Sequence, residues 1–336
     1  MEMQINKSNF IGTSVLVILL LSIFTVVFLM QDGKSFTMYD RMHQGTVVVY
    51  NVTGNVDPTT QTPLVGLGTG FFIAPNVIIT NEHVIHDNKQ VFIRGYNSPG
   101  RWKATVVKSD VNADLAIIKI DDWKSYLQSN DYVVFSFNNN FNVGDSIFAL
   151  GHPEGHDWSL SHGIISSTER LPVDGNPTGV DDVLLQIDVM LSPGNSGGPL
   201  FSKDGRIIGM NEEIQIVQGG SLKFAIDGRF IQKAVRDLLK DGKINTPALG
   251  IKFGFNPSIN QISIGEIEKG SNAEKAGLLK DDVLVGIQTK YTNGFEHIRE
   301  PDTLVANVKL LDFGDVVSLN IMRNGKPMTI NINLTS

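Results

Sequence analysis

The residues with most chemical promise lie in the run Ser192-Pro193-Gly194-Asn195-Ser196-Gly197-Gly198-Pro199-Leu200. A serine hydroxyl attacks a carbonyl well only when a base takes its proton and donors wait for the negative oxygen that forms. Glycines around Ser196 allow a tight backbone in which the N–H groups of Gly194 and Ser196 face one point. A side chain at 194 would disfavour a positive φ there. Alone, the run is equally what a Gly-rich hairpin with an incidental serine looks like. Two other places could supply the missing groups. His83, in Ile79-Thr80-Asn81-Glu82-His83-Val84, follows an apolar strand, where a loop can present it as general base. Asp114, in Asn112-Ala113-Asp114-Leu115-Ala116-Ile117, precedes a buried strand, where its burial would orient an imidazole.

Singly, such a histidine is usually structural and such an aspartate usually forms a turn. Together they run His, Asp, Ser along the chain, the order of the chymotrypsin type and not of the subtilisin or α/β-hydrolase types. Separations of 31 and 82 residues suit two β-barrels with the three side chains in the cleft between them.

The elements that must position these residues are mostly strands. From about residue 44 to 230, short apolar runs are broken by Gly, Pro, Asn and Asp: Thr46–Tyr50, Gly70–Ile73, Val77–Thr80, Val91–Arg94, Leu115–Ile120, Ile147–Leu150 and Arg206–Met210. That spacing predicts an all-β sandwich or a barrel pair. One helix is expected at Arg229–Leu239, where Phe230, Ala234, Val235 and Leu238 recur at helical spacing, with Asp241-Gly242 as its stop. Asn245-Thr246-Pro247 reads as a hinge. Residues 248–336 mix strands (Ile262–Ile267, Val283–Ile287, Val316–Met322, Met328–Ile332) with short helices at Ala273–Ala276 and Pro301–Val308.

Composition narrows the alternatives. The 336 residues are 41% hydrophobic, with 33 Gly and 13 Pro, which is globular and turn-rich. With 28 Lys and Arg against 35 Asp and Glu, and no basic stripe, a nucleic-acid partner is not expected. No cysteine is present, which excludes disulfides, thiolate zinc sites and a cysteine nucleophile. His152, His156 and His162 invite a metal, but Gly151, Pro153 and Gly155 oppose the helix that would converge His152 and His156; no metal and no cofactor is expected. Phe10 to Met30 carries no charge over 21 residues, enough to span a bilayer core, and no small-residue cleavage site follows. Residues 1–35 are therefore expected to be an uncleaved single-pass anchor, contacting the membrane through residues 10–30, with the larger part outside the cytoplasm.

Gly68–Ile85 (GTGFFIAPNVIITNEHVI), Ala113–Ile120 (ADLAIIKI), Gly144–Gly151 (GDSIFALG), Gly163–Arg170 (GIISSTER) and Gln186–Leu200 (QIDVMLSPGNSGGPL) together resemble the HtrA family of trypsin-like proteases, over roughly residues 44–336. With one anchor and one PDZ domain, the chain looks most like the DegS-like members. The resemblance implies a mainly β fold: a chymotrypsin-like double-barrel protease domain at 36–244 and a small α+β PDZ domain at 245–336. It implies His83 as base, Asp114 as its orienter, Ser196 as nucleophile, and the N–H groups of Gly194 and Ser196 as oxyanion hole. The family usually has Asn where this chain has His152. Met190, six residues before Ser196, would floor the primary pocket, with Leu191 beside it, selecting apolar residues. Glu212-Glu213 could line the cleft, but solvated loop charge is the expectation. Leu222–Ile226, with Phe224, Ala225 and Ile226, matches the family's edge strand that pairs with a protein or peptide substrate.

Leu249, Gly250 and Ile251 match the loop that captures a peptide's C-terminal carboxylate. Ala273-Glu274-Lys275-Ala276-Gly277-Leu278 and Asp281-Asp282-Val283-Leu284 fit the same domain. Residues 166–186 would form the loop that senses the bound peptide, through Arg170. A homotrimer packed near Phe36 and Tyr39, on the periplasmic side of a bacterial inner membrane, is the implied setting. The expected function is a regulated envelope serine endopeptidase; the alternative is a PDZ-bearing chaperone or scaffold with an idle protease fold.

Overall fold

The computed structural model describes residues 36–336 apart from 57–62, 99, 154–157, 172–182, 218–219 and 257–260. The expected membrane span at 10–30 lies outside the described residues. Among those described, no helix is long and apolar enough to cross a membrane. By compactness the chain divides into Met1–Tyr39 and Asp40–Ser336, and the features below belong to the second unit.

The first barrel is built from β1 (Thr46–Val56), β2 (Pro63–Ala74), β3 (Val77–Thr80), β4 (Gln90–Gly95), β5 (Trp102–Asp110) and β6 (Leu115–Ile120). It closes in the order β1-β2-β3-β6-β5-β4. Strand alternation fills it: Val91 and Ile93 point inward from β4 while Gln90 and Phe92 face out. Val47, Val49, Phe72, Ile78 and Ile118 complete the same core. A helix that periodicity does not reveal, Trp123–Ser129, packs on this barrel. Asp122 caps it by accepting from the Ser125 N–H at 3.0 Å, and Tyr126 sends its ring into the core against Phe72.

The second barrel uses β7 (Ser146–Gly151), β8 (Ser159–Arg170), β9 (Leu184–Ile187), β10 (Pro199–Ser202), β11 (Ile207–Val217) and β12 (Gly220–Asp227). It closes in the order β10-β11-β12-β9-β8-β7. Closure corrects two expectations. Phe224, Ala225 and Ile226 are buried in β12, which pairs with β11 on one side and β9 on the other, so this strand offers no free edge to a substrate. Residues 166–170 continue β8, and 184–186 belong to β9, so the expected 166–186 loop is strand at both ends; 172–182 lie outside the described residues.

Helix Gly228–Asp241 follows β12 directly. Asp227 accepts from the Arg229 N–H at 2.7 Å as its N-cap, an interaction worth about 1 kcal/mol in such positions. Gly242, at φ +75°, ends the helix. Phe230, Ile231, Ala234 and Leu238 bury its apolar face. The expected hinge at 245 is tied to this helix: Asn245 N–H donates to Asp237 at 3.2 Å, and Lys233 donates to the Asn245 carbonyl.

The remaining chain forms one antiparallel sheet in the order β13-β14-β15-β17-β18, with β16 (Glu296–His297) on β15. Its strands are β13 (Ile251–Asn256), β14 (Gln261–Ile267), β15 (Val283–Gln288), β17 (Val316–Arg323) and β18 (Lys326–Asn333). Helices Asn272–Lys275 and Pro301–Lys309 accompany it. Ile264, Leu284, Leu304, Val317 and Ile321 make its own core. β13 stands at the edge of the sheet.

Candidate active site

His83 sits on a one-turn helix, Glu82–Ile85, immediately after β3. Asp114 ends a turn just before β6 and adopts φ +41°, a left-handed conformation that Asp tolerates better than most residues. The pairing of β3 with β6 brings the two ends together. Asp114 then holds His83 twice: one carboxylate oxygen accepts from the His83 backbone N–H at 2.9 Å, and the other lies 2.7 Å from ring Nδ1. Asp114 is 3% exposed, whereas the His83 side chain is 40% exposed. A buried carboxylate on Nδ1 places the ring proton there and makes Nε2 the nitrogen that can accept one. Asn81 donates to the Asp114 carbonyl at 3.1 Å, which fixes the turn itself.

Ser196 belongs to the second barrel, on the loop before β10. Its hydroxyl donates to the Glu212 carbonyl at 3.0 Å. That carbonyl is available because β11 bulges: register against β12 shifts between Asn211 and Ile214. Glu212 is therefore buried in the site wall, which corrects the expectation of a solvated loop charge. Gly194 has φ +103°, the conformation for which a glycine was expected. Among the described residues, neither Gly194 nor Ser196 donates its N–H to a backbone carbonyl. Gly197, at φ +80°, is required for a second reason: a Cβ there would lie 2.2 Å from the Thr69 carbonyl of β2. The nucleophile loop thus rests directly on the first barrel.

A cavity of about 290 Å³ opens beside Ser196, lined by Leu191, Ser192, Pro193, Asn195, Asn211 and Glu212. Leu191 stands where a pocket residue was expected. Met190 does not. It is 76% exposed, because alternation on this stretch turns Leu191 and Val189 inward and Met190 out, with the Met190 carbonyl accepting from Ser161 at 2.8 Å.

Two residues at this site carry no signal in the chemical motifs. Thr69, in β2, donates its hydroxyl to the Gly194 carbonyl at 2.7 Å and its backbone N–H to the Ser196 carbonyl at 2.9 Å. Asn211 exchanges backbone hydrogen bonds with Gly197 and Gly198. Thr69 stands at the head of the Gly68–Ile85 block, between two glycines, where nothing local marks its role.

The other expected residues lie apart from this cleft. Arg170, at the end of β8, pairs with Glu300 at 2.6 Å, just ahead of helix Pro301–Lys309. Leu249 is buried, Gly250 has φ +73°, and Ile251 begins β13. Their loop is held by Glu268 N–H on the Gly250 carbonyl and Ala273 N–H on the Leu249 carbonyl, each at 2.9 Å. His152 is fully buried near the nucleophile loop, His162 lies 2.6 Å from the Ser146 hydroxyl on the surface, and His156 is outside the described residues. Among the described residues no group of three or more metal-ligating side chains converges.

Two closed six-stranded barrels, with His83 and Asp114 on one and Ser196 on the other, define the architecture of trypsin-like peptidases. Residues 68–210 match the trypsin-like peptidase domain. The chain is 31% identical over 281 residues to the probable periplasmic serine endoprotease DegP-like of Rhizobium meliloti, covering 80% of this chain and 53% of that protein. It is 31% identical over 278 residues to serine protease Do-like HtrA of Bacillus subtilis, covering 76% of this chain and 60% of that one. It therefore spans between half and two thirds of the length of these relatives. Among solved structures, HtrA-type protease AlgW with tripeptide superposes with a TM-score of 0.61 at 22% identity, over 89% of this chain and 95% of that one. These similarities are to trypsin-like peptidases and to proteins named as DegP-like or HtrA serine proteases.

Proposed function

We propose that this protein is a serine endopeptidase in which Ser196 attacks the scissile carbonyl, His83 moves the proton and Asp114 orients His83. The observation that carries this reading is the double hold of Asp114 on His83, ring and backbone together, on the first barrel, with Ser196 on the second. When substrate enters, the Ser196 proton leaves the Glu212 carbonyl for His83 Nε2. The negative oxygen of the tetrahedral intermediate then accepts from the Gly194 and Ser196 N–H groups. His83 returns its proton to the leaving amine, and water repeats the cycle on the acyl-enzyme. Leu191 and Pro193 in the cavity wall support cleavage after small or medium apolar residues. The test is digestion of an unfolded protein and a peptide library. Ser196→Ala and His83→Ala should each lower turnover by ~10⁴-fold or more. Undiminished cleavage by Ser196→Ala would sink the assignment, and efficient cleavage after Lys or Arg would hand the pocket to Glu212.

The unit from 245 onward reads as a PDZ-type domain. Support comes from the Gly250 loop preceding β13, and from β13 standing at a sheet edge where an incoming peptide can add as a strand. Peptide C-termini bound there would favour the active site through the contacts of Arg170 with Glu300, which requires tighter binding to the active state. An anchor through residues 10–30, a homotrimer packed near Phe36 and Tyr39, and an envelope setting complete the proposal. The similarity to a probable periplasmic serine endoprotease supports the last point. Arg170→Ala that left peptide activation unchanged would break the regulatory part alone.

A further inference from the structure

Thr69 holds the nucleophile loop at two points, and His152 holds Thr69. The Thr69 hydroxyl has one proton, which it gives to the Gly194 carbonyl at 2.7 Å. Toward His152 Nδ1, 3.0 Å away, it can therefore only accept, so the His152 ring carries its proton on Nδ1. His152 Nε2 is buried with no hydrogen-bond partner among the described residues. The ring is fixed by packing instead: Trp158 meets it edge-on at 3.9 Å between centroids, and Arg94 covers Trp158 at 5.4 Å. Burial, then the charges of Arg94 and His43, push the His152 pKa down to about 2. The imidazole thus stays neutral throughout the working range and acts as a fixed donor rather than a proton carrier.

This chain of contacts ends on one peptide group. The Gly194–Asn195 peptide is pinned at both ends, its carbonyl by Thr69 and its N–H on the Ser192 carbonyl at 3.0 Å. A planar peptide held at both ends cannot turn over without breaking both bonds. The amide groups of Gly194 and Ser196 flank it, so their aim depends on its orientation.

We propose that His152 and Thr69 are positioning residues of the oxyanion hole: the imidazole N–H orients the Thr69 hydroxyl, which holds the Gly194 carbonyl turned away so that the Gly194 and Ser196 N–H groups converge. The proposal rests on Ser196 being the nucleophile. Neither residue touches substrate, so their loss changes transition-state binding and leaves ground-state binding alone.

The experiment measures steady-state peptide cleavage by the full chain. It also measures inhibition by a peptide boronate, which forms a tetrahedral adduct, and by the matching product peptide, which does not. Since loss of a direct oxyanion donor costs ~10²–10³-fold, Thr69→Val, one step removed, should lower kcat by ~10–100-fold with KM within about twofold. Boronate affinity should fall in parallel, and product-peptide affinity should hold. Thr69→Ser should restore most of the loss. His152→Leu should lower kcat by a smaller factor, ~3–10-fold, and His152→Asn, whose amide N–H can replace the ring N–H, should recover it. If Thr69→Val does not fold, the two His152 variants carry the test. Unchanged kcat and boronate affinity in Thr69→Val would overturn the proposal, as would parallel losses of boronate and product-peptide binding, or a His152→Asn no better than His152→Leu. Ser196→Ala run alongside separates the two readings: cleavage surviving in that variant discards the nucleophile itself, not merely its support.

Discussion

Two glycine loops in this molecule look alike and are held differently. Gly194 and Gly250 both adopt positive φ, +103° and +73°, and both stand in loops whose N–H groups could receive an oxygen anion. The first is held from the opposite barrel by Thr69, its hydroxyl on the Gly194 carbonyl and its backbone N–H on the Ser196 carbonyl. The second is held from within its own domain: the Glu268 and Ala273 backbone N–H groups occupy the Gly250 and Leu249 carbonyls, and the Asn272 side-chain amide donates to the Ala248 carbonyl at 2.9 Å. The difference follows from the charge each would meet. An oxyanion exists only near the transition state, so its donors must be fixed in advance by buried contacts. A peptide carboxylate is charged before it arrives, so a loop at a sheet edge suffices. On the proposed roles, catalysis would be tied to how the two barrels pack, and peptide capture to one sheet.

The largest expected effect strikes the first loop. Gly194→Ala forces a Cβ onto a φ of +103°, so the loop should relax and kcat/KM should fall by ~10²–10³-fold with the fold intact by circular dichroism. Near-normal kinetics would mean that this N–H does not serve the oxyanion. Next comes Gly250→Ala. A Cβ there lies 2.3 Å from the Ser271 Cβ, so the second loop should be displaced, weakening binding of C-terminal peptides by at least ~10-fold and destabilising its sheet by ~1–3 kcal/mol. Peptide titration by calorimetry checks the first part and thermal unfolding the second; unaltered peptide affinity would detach Gly250 from the proposed carboxylate site.

The smallest effect concerns the link between the regions. Arg236, on helix Gly228–Asp241, pairs with Asp312, which also receives Lys290 at 3.3 Å. Burial works to raise the Asp312 pKa, but hydrogen bonding and charge from Arg236, with Lys290 behind it, hold it below the ordinary carboxylate value. A depressed carboxylate stabilises the fold above its unfolded pKa, and that contribution disappears as pH falls through the folded value. The Asp312 side chain is a third exposed and Arg236 about half, so solvent screens the pair and the gain is small. Asp312→Asn should lower Tm slightly at pH 7, and the difference from the unsubstituted chain should shrink and disappear as pH falls below the ordinary carboxylate range. A difference that persisted there would assign the effect to packing.

The His83–Asp114 contact was legible because chemistry restricts which residues can orient an imidazole, and strand patterning located the barrels that carry it and Ser196. The helix at 229 was legible from its period and its glycine stop. What stayed hidden depends on pairing across the fold. β12 reads as an edge strand until β9 is seen against it. Met190 reads as a pocket floor until alternation is followed through Leu191, which faces inward in its place. Glu212 reads as loop charge because a β-bulge has no composition of its own. Thr69 meets Gly194 across 125 residues, a contact that no local spacing announces.

The account turns on one serine. Treating the full chain with a fluorophosphonate and mapping the adduct by peptide mass spectrometry tests it most directly. The account predicts one adduct, on Ser196, much slowed in His83→Ala and in Gly194→Ala. An adduct on another residue, or labelling of Ser196 at the same rate in His83→Ala, would contradict it.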